Sequence, residues 1–139
     1  MMRCLSYYLK WDPQENYYYA SNNTGFMPSS ERTEDTYSKY SSINDKIDAS
    51  HYYKTLIKFV IGRATYDATQ EIRNNNITRE EGVRLVNKYD TKFPAKYFKE
   101  FLDCINLTEE NFWQIINNFR SPHLLKPDRN DWILKHQVK

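Results

Sequence analysis

Apolar side chains recur every three or four residues through most of the chain after residue 42. This spacing predicts an amphipathic helix that is capped by Ser42. Gly62 is expected to interrupt the helix, and a second helical stretch follows it. The asparagines at 74–76 are suited to helix ends and turns, and they should end that stretch.

Capping signals predict the positions of the remaining helices. Thr78 and Glu81 form a capping box, in which each side chain accepts a hydrogen bond from the other residue's amide. Pro94 is predicted to open the next helix, and Thr108 to cap the last one. Beyond these helices, residues 131–138 form a tail in which polar and apolar residues mix.

The N-terminal part shows a different pattern. The apolar and aromatic run Leu5–Trp11 predicts a strand, which on its own cannot satisfy its backbone hydrogen bonds. Asp12 and Pro13 then predict a helix start, with the helix ending near Gly25. The polar segment 27–42 lacks helical spacing, so it is either a flexible loop or a loop ordered by a ligand or another domain.

These elements predict a mainly α fold, a small helical bundle that follows one N-terminal strand. Residues 1–42, which hold the strand, the short helix and the polar loop, are expected to continue a domain outside the chain, and residues 43–139 to form a C-terminal helical domain. The unpaired strand is the reason to expect a further sheet outside the chain.

Composition excludes several functional classes. The net charge of +2 is too small to indicate binding to nucleic acid or to a membrane surface. No apolar run approaches the roughly 20 residues of a membrane span, and no secretory signal is evident, so we expect a cytoplasmic protein. With only three glycines, all isolated, the chain has no phosphate-binding glycine-rich loop. Cys4 and Cys104 are expected to be reduced thiols.

Cations close to apolar residues are the strongest candidates for ligand binding. Lys58, Arg63 and Arg73 could together receive a diphosphate or a nucleotide. The alternative is intrahelical pairing, because Arg63 and Asp67 are four residues apart. Spacing alone favours the surface pair over the ligand site.

Other candidate sites are weaker. Asp45, Asp48 and His51 recur every three residues, which does not match the usual metal motifs, so no metal site is expected. The tyrosines at 17–19 and 52–53 could stack on a uracil ring or simply pack together. No nucleophile–base pair is evident, and the catalytic residues stay unassigned.

Three consecutive blocks carry a resemblance to a known family. The blocks are WDPQENYYYA at 11–20, the run 33–77 that contains KFVIGRATYDA and EIRN, and ITREEGVRLVNKYD at 77–90. They resemble the C-terminal part of the N-acetyl sugar amidotransferases, PP-loop ATPase-superfamily enzymes of surface-polysaccharide and flagellar-glycan biosynthesis. The family's SGGxDS-type ATP loop is absent, which implies the C-terminal portion of an α/β PP-loop enzyme, with residues 1–42 continuing a missing nucleotide-binding domain.

The resemblance implies a reaction and its participants. In the full-length family, ATP with Mg²⁺ activates the acetamido oxygen of a nucleotide-linked N-acetyl sugar, and ammonia converts that group to acetamidino. Ammonia would come from a glutaminase and its ammonia-channel subunit, and the missing N-terminal PP-loop domain would hold ATP. This chain alone would bind no cofactor, and its own share would be substrate binding and partner contacts in O-antigen, lipopolysaccharide (LPS) or flagellar-glycan synthesis.

The resemblance also singles out residues. It favours Lys58, Arg63, Asp67 and Arg73 as substrate-binding residues over simple surface pairing. One departure concerns Val60, because the family usually has glycine at this position and a β-branched residue is incompatible with a positive φ. The alternative functions are a non-enzymatic helical interaction module and an inactive remnant of the enzyme.

Overall fold

The computed structural model describes residues 2–129, 131–136 and 138–139. Within these ranges the fold is mainly α, as the sequence predicts. The elements are a 3₁₀ turn at Leu5–Tyr7, helices α1 Pro13–Thr24, α2 Asp48–Phe59, α3 Arg63–Arg73, α4 Arg79–Tyr89, α5 Phe98–Ile105 and α6 Glu109–Asn118, and strands β1 Leu125–Asp128 and β2 Asp131–Leu134. None of the helices in these ranges is long and apolar enough to cross a membrane.

The predicted N-terminal strand is wrong. Leu5–Tyr7 forms a 3₁₀ turn, and the amides of Tyr8 and Leu9 donate to the Leu5 carbonyl at 2.9 and 3.1 Å. A segment without a neighbouring strand must satisfy its backbone groups locally or with water, and a tight turn does so.

The first helix follows its capping signals. The Asp12 carboxylate accepts from the amides of Gln14 and Glu15, and Gly25 ends α1 in the left-handed region at φ 72°. Asp12 is buried, and it also accepts two hydrogen bonds from the Asn76 side chain at 3.1 and 3.2 Å. The same carboxylate therefore caps α1 and ties it to the connection between α3 and α4.

Two predicted helix starts are wrong, each by about a turn. Helix α2 begins at Asp48 and not after Ser42, because the Asp45 side chain accepts from the Ile47 amide at 2.7 Å and holds a turn there. Helix α5 begins at Phe98 and not at Pro94, and the Lys96 amide donates to the Glu34 carboxylate instead. Side chains outside each helix decide where it begins.

The structure confirms the predicted break at Gly62. Helix α2 ends at Phe59, Val60 adopts φ 60° and ψ 30°, and Gly62 is the N-cap of α3. The expectation that a β-branched residue excludes a positive φ at this position is wrong, because the connection between α2 and α3 holds Val60 in the left-handed region, the conformation that favours glycine. Helix α4 starts at the predicted capping box, and α6 starts at the predicted Thr108 cap.

A short hairpin replaces the predicted tail. Strands β1 and β2 pair antiparallel, with Leu125 opposite Leu134 and Asp128 opposite Asp131. Each strand has only four residues, which is too short to give a distinctive alternating pattern.

The main core lies among α2, α5 and α6. Ile57, Leu102, Phe112 and Ile116 are buried at its centre, and aromatic side chains surround them in edge-to-face contacts. Helices α3 and α4 lie beside this core, where α3 contacts α2. Helices α3 and α4 pack closely against each other, since a side chain at Gly82 would meet Ile72. This packing fixes α3, the helix that carries most of the candidate site residues.

Candidate functional site

The polar segment between α1 and α2 is packed against α3. Thr36 is fully buried and donates its hydroxyl hydrogen to the Asp67 carboxylate at 2.6 Å. Within the segment, the Thr33 amide donates to the Ser38 carbonyl at 2.9 Å, and the Thr33 hydroxyl donates to the Ser41 carbonyl at 2.6 Å. The segment is therefore ordered by contacts with the rest of this chain.

Arg63 and Asp67 form a buried ion pair on α3. The Arg63 Nε lies 3.2 Å from Oδ1 and 3.3 Å from Oδ2 of Asp67, and the Arg63 Nη2 donates to the Ser41 hydroxyl. The guanidinium also lies 4.2 Å from the centre of the Tyr52 ring. The pairing predicted from the spacing is present, but it is buried rather than a surface pair, and removing one partner would leave an uncompensated charge.

This ion pair forms one wall of a cleft of about 210 Å³. The cleft lies between α3, the start of α1 and the polar segment. Its lining residues are Trp11, Pro13, Ser38, Tyr40, Ser41, Arg63, Tyr66, Asp67, Gln70 and Glu71. Two of the four predicted substrate-binding residues, Arg63 and Asp67, meet here.

The other two predicted residues lie elsewhere. Lys58 is exposed in the last turn of α2, where its Nζ lies 5.2 Å from the Phe59 ring centre and 5.9 Å from that of Phe119. Arg73 is exposed in the last turn of α3, about 15 Å along the helix axis from Arg63. The helix break at Val60 separates Lys58 from Arg63, and the length of α3 separates Arg73 from Arg63.

The amides at the start of α3 are occupied by Asp90. Its carboxylate accepts from the Thr65 amide at 3.2 Å and from the Thr65 hydroxyl at 2.6 Å. A Cβ at Gly62 would lie 2.1 Å from an Asp90 oxygen, so only glycine leaves room for this approach. Burial raises the pKa of Asp90, and hydrogen bonds from Thr65 and from the Ala64 and Gly62 backbone oppose the rise. Asp90 therefore occupies donors at this helix N-terminus that a phosphate would otherwise use.

The cleft has an excess of acidic groups. Burial raises the pKa of Asp67, although Arg63 and Thr36 counteract part of the rise. Burial also raises the pKa of Glu71. The charges of Asp67 and Asp12 raise this pKa further, and the Tyr37 hydroxyl opposes the rise. Asp67 is paired with Arg63, and Glu71 adds a second carboxyl group to the lining of the cleft.

Sequence reasoning missed Glu71, Gln70, Tyr66 and the aromatic residues from other segments. A usable signal was present for Glu71, because Arg63, Asp67 and Glu71 follow each other at intervals of four on one face of α3. Trp11 and Tyr40 lie in distant parts of the chain, and no local pattern indicates that they reach the same cleft.

The remaining candidates have structural surroundings. Tyr17 stacks on Tyr40 with ring centres 4.6 Å apart, and Tyr53 packs against the main core. In the part of the chain that the structure describes, no three His, Cys, Asp or Glu side chains come together in a way that could hold a metal ion. Cys4 and Cys104 are both free and exposed.

A known protein family matches most of the chain. Residues 34–139 match the family model described as LPS biosynthesis protein WbpG-like, C-terminal domain. No curated protein matches the chain. The matched range includes the polar segment from Glu34 onward, all of α3, and the Arg63–Asp67 pair. The match agrees with the resemblance to the C-terminal part of the N-acetyl sugar amidotransferases. The chain belongs to the WbpG-like C-terminal domain family of LPS biosynthesis proteins.

Proposed function

We propose that this chain is the substrate-binding and partner-contacting part of an ATP-dependent N-acetyl sugar amidotransferase of LPS, O-antigen or flagellar-glycan biosynthesis. Its role in LPS biosynthesis follows from its family. The observation that carries the finer proposal is the cleft beside Arg63 and Asp67, because it lies in the KFVIGRATYDA block of the family resemblance.

The proposed reaction replaces the acetamido oxygen by nitrogen. ATP transfers AMP to that oxygen and releases pyrophosphate, and ammonia then displaces AMP to leave an acetamidino group. ATP and Mg²⁺ would be bound by a PP-loop part that carries the SGGxDS-type sequence. Ammonia would come from a cytoplasmic glutaminase through its channel subunit, and this chain would hold the nucleotide-linked N-acetyl sugar.

Arg63 and Asp67 are proposed to shape the wall of the substrate site. Both side chains are mostly buried, and they connect α3 to the polar segment through Ser41 and Thr36. Lys58 and Arg73 are exposed and lie outside the cleft, so they could contact only parts of the substrate that extend beyond it.

The N-terminal segment is the proposed surface for the ATP-binding part. Leu5, Tyr7, Tyr8, Leu9 and Trp11 are each more than half exposed, although they are large and apolar or aromatic. Exposed apolar patches of this kind indicate a protein contact. Trp11 also lines the cleft, so a partner on this surface would lie next to the bound sugar.

Reconstitution tests the proposal. The full chain is mixed with the SGGxDS-bearing part of a family member, ATP, Mg²⁺, ammonia and UDP-N-acetylglucosamine or another nucleotide-linked N-acetyl sugar. We expect pyrophosphate release that requires both parts and the sugar nucleotide. Turnover by the chain alone would contradict the proposal. The proposal would also be contradicted if the two parts form a complex but turn over no sugar nucleotide. The latter result would favour an interaction module or an inactive remnant.

A further inference from the structure

We propose that the cleft beside the Arg63–Asp67 pair receives the sugar ring of the substrate and excludes its phosphates, and that Glu71 recognises the donor hydrogens of that ring. This inference rests on the proposed function, and it differs from the expectation that Arg63 binds phosphate.

Charge excludes a phosphate from the cleft. The Arg63 guanidinium is already engaged by Asp67, Ser41 and the Tyr52 ring. Glu71 adds a second carboxyl group to the lining, and Asp12 is close enough to raise the pKa of Glu71. A diphosphate would meet like charge in a partly desolvated site, which costs free energy unless new cations arrive. Neither Lys58 nor Arg73 lines the cleft, and neither can supply this charge.

The same groups suit a neutral polar ring. Hydroxyl and amide hydrogens of an N-acetyl sugar are donors, and a carboxylate accepts them in charge-assisted hydrogen bonds. Gln70 lines the cleft beside Glu71 and offers both a donor and an acceptor. Glu71 therefore has the position and the chemistry to select a ring with donor groups.

Aromatic walls provide the apolar contact that a sugar ring needs. Trp11 and Tyr66 line the cleft and are 55% and 50% exposed, so part of each ring is free to contact a ligand. Tyr40 also lines the cleft, and its ring is stacked on that of Tyr17. Rigid aromatic side chains bury large areas at little entropic cost.

Size also favours one ring. The cleft of about 210 Å³ is smaller than the roughly 300–1,000 Å³ of sites that enclose drug-sized ligands. A complete sugar nucleotide would not fit inside it. The nucleotide would extend over the surface or toward the ATP-binding part of the enzyme.

Chemical-shift titration of the isotopically labelled full chain tests this assignment. The probes are N-acetylglucosamine, UDP and UDP-N-acetylglucosamine, each at millimolar concentrations. We expect N-acetylglucosamine and UDP-N-acetylglucosamine to shift the signals of Tyr66, Gln70 and Glu71, and UDP alone to leave them unchanged. Shifts of these signals with UDP or inorganic phosphate would overturn the proposal.

Substitutions identify the recognising group. Glu71→Gln should weaken N-acetylglucosamine binding about tenfold or more, because a charge-assisted acceptor is lost while the side-chain shape is kept. Glu80→Gln, at an exposed position on α4, is the matched control and should leave binding unchanged. Tyr66→Leu should weaken binding through the lost ring contact, whereas Tyr66→Phe should retain most of it.

The outcomes separate this inference from the proposed function. If Glu71→Gln binds the sugar as tightly as the wild type, the assignment of Glu71 is wrong. If UDP-N-acetylglucosamine binds without shifting the cleft signals, the sugar site lies elsewhere, and activity of the reconstituted enzyme would still support the proposed function. An inactive reconstituted enzyme with sugar bound in the cleft would contradict the proposed function and leave this inference intact.

Discussion

At the scale of single residues, Val60 has an unfavourable backbone conformation. Its φ of 60° places a β-branched side chain in the left-handed region, which costs roughly 1–2 kcal/mol for an ordinary L-residue. Its side chain is only partly buried, so little packing would be lost on its removal. We expect Val60→Gly to raise the free energy of unfolding by about 1 kcal/mol in urea denaturation, net of the added entropy of the unfolded chain.

The same substitution at a helical position provides the control. Val83 is a partly buried residue within α4, where glycine should destabilise by about 1 kcal/mol or more. Opposite signs at the two positions would identify backbone strain as the cause. A loss of stability in Val60→Gly would mean that the valine side chain contributes more than its conformation costs.

Asp35 is a buried carboxyl group that accepts no hydrogen bond from the residues that the structure describes. It is 4% exposed, and burial, then Glu34 and Asp90, raise its pKa from 3.8 to about 7, with Arg32 opposing the rise. The folded chain therefore binds a proton between about pH 4 and 7 that the unfolded chain has lost. Stability from this group is present below that range and is lost as the pH rises through it.

Replacing Asp35 tests this pH dependence. Asp35→Asn should be more stable than the wild type at pH 8, by on the order of 2 kcal/mol, and similar to it at pH 4. Asparagine also tolerates the positive φ of 64° at this position. Asp103→Asn, at an exposed site on α5, should show no such difference. Parallel pH–stability curves for wild type and Asp35→Asn would show that Asp35 ionises normally.

At the scale of elements, the junction of α2 and α3 depends on Gly62. A Cβ there would overlap the Asp90 carboxylate that caps α3. We expect Gly62→Ala to lower the free energy of unfolding by about 2 kcal/mol, because it displaces the cap and leaves buried amides unsatisfied. Equilibrium denaturation in urea measures this change.

A double-mutant cycle identifies the cause. Asp90→Ala removes the carboxylate and makes room for the Cβ at position 62, so the double variant should lose less stability than the sum of the single losses. If the losses of stability are additive, the effect of Gly62→Ala does not arise from its contact with Asp90.

The sequence predicted those element ends that depend on local chemistry. Asp12, Thr78 and Thr108 cap helices as expected, because each signal acts within one turn. The starts of α2 and α5 were missed, since Asp45 and Glu34 hold the chain in other hydrogen bonds. The hairpin was missed because its strands are too short to show a pattern.

The candidate site was predicted in part for similar reasons. The Arg63–Asp67 pair follows from spacing on one helix, but its burial does not, because it depends on the fold of residues 25–47. Lys58 was grouped with Arg63 because both are cations close to apolar residues, but Lys58 lies on α2, before the left-handed residue Val60, and does not line the cleft. The cleft combines three separate segments, and such tertiary contacts are not visible in a single sequence.

At the scale of the whole molecule, the N-terminal apolar surface should promote self-association when no partner covers it. Leu5 and Leu9 belong to this surface and are well exposed. We expect the sedimentation coefficient to rise with protein concentration, and the double substitution Leu5→Ser and Leu9→Ser to reduce this rise. Met27→Ser, at another exposed apolar residue, is the control. A strictly monomeric wild type at all concentrations would contradict the assignment of this surface to a partner.

The most direct test of the central claim is calorimetric titration of the full chain with UDP-N-acetylglucosamine and with UDP-glucose, which lacks the acetamido group. If the chain is the substrate-binding part of an N-acetyl sugar amidotransferase, it should bind UDP-N-acetylglucosamine at one site and UDP-glucose more weakly. Glu71→Gln should weaken the binding of UDP-N-acetylglucosamine, because Glu71 is the proposed acceptor for the hydroxyl and amide hydrogens of the ring. Equal binding of the two sugar nucleotides, or no binding by a folded chain, would contradict the account.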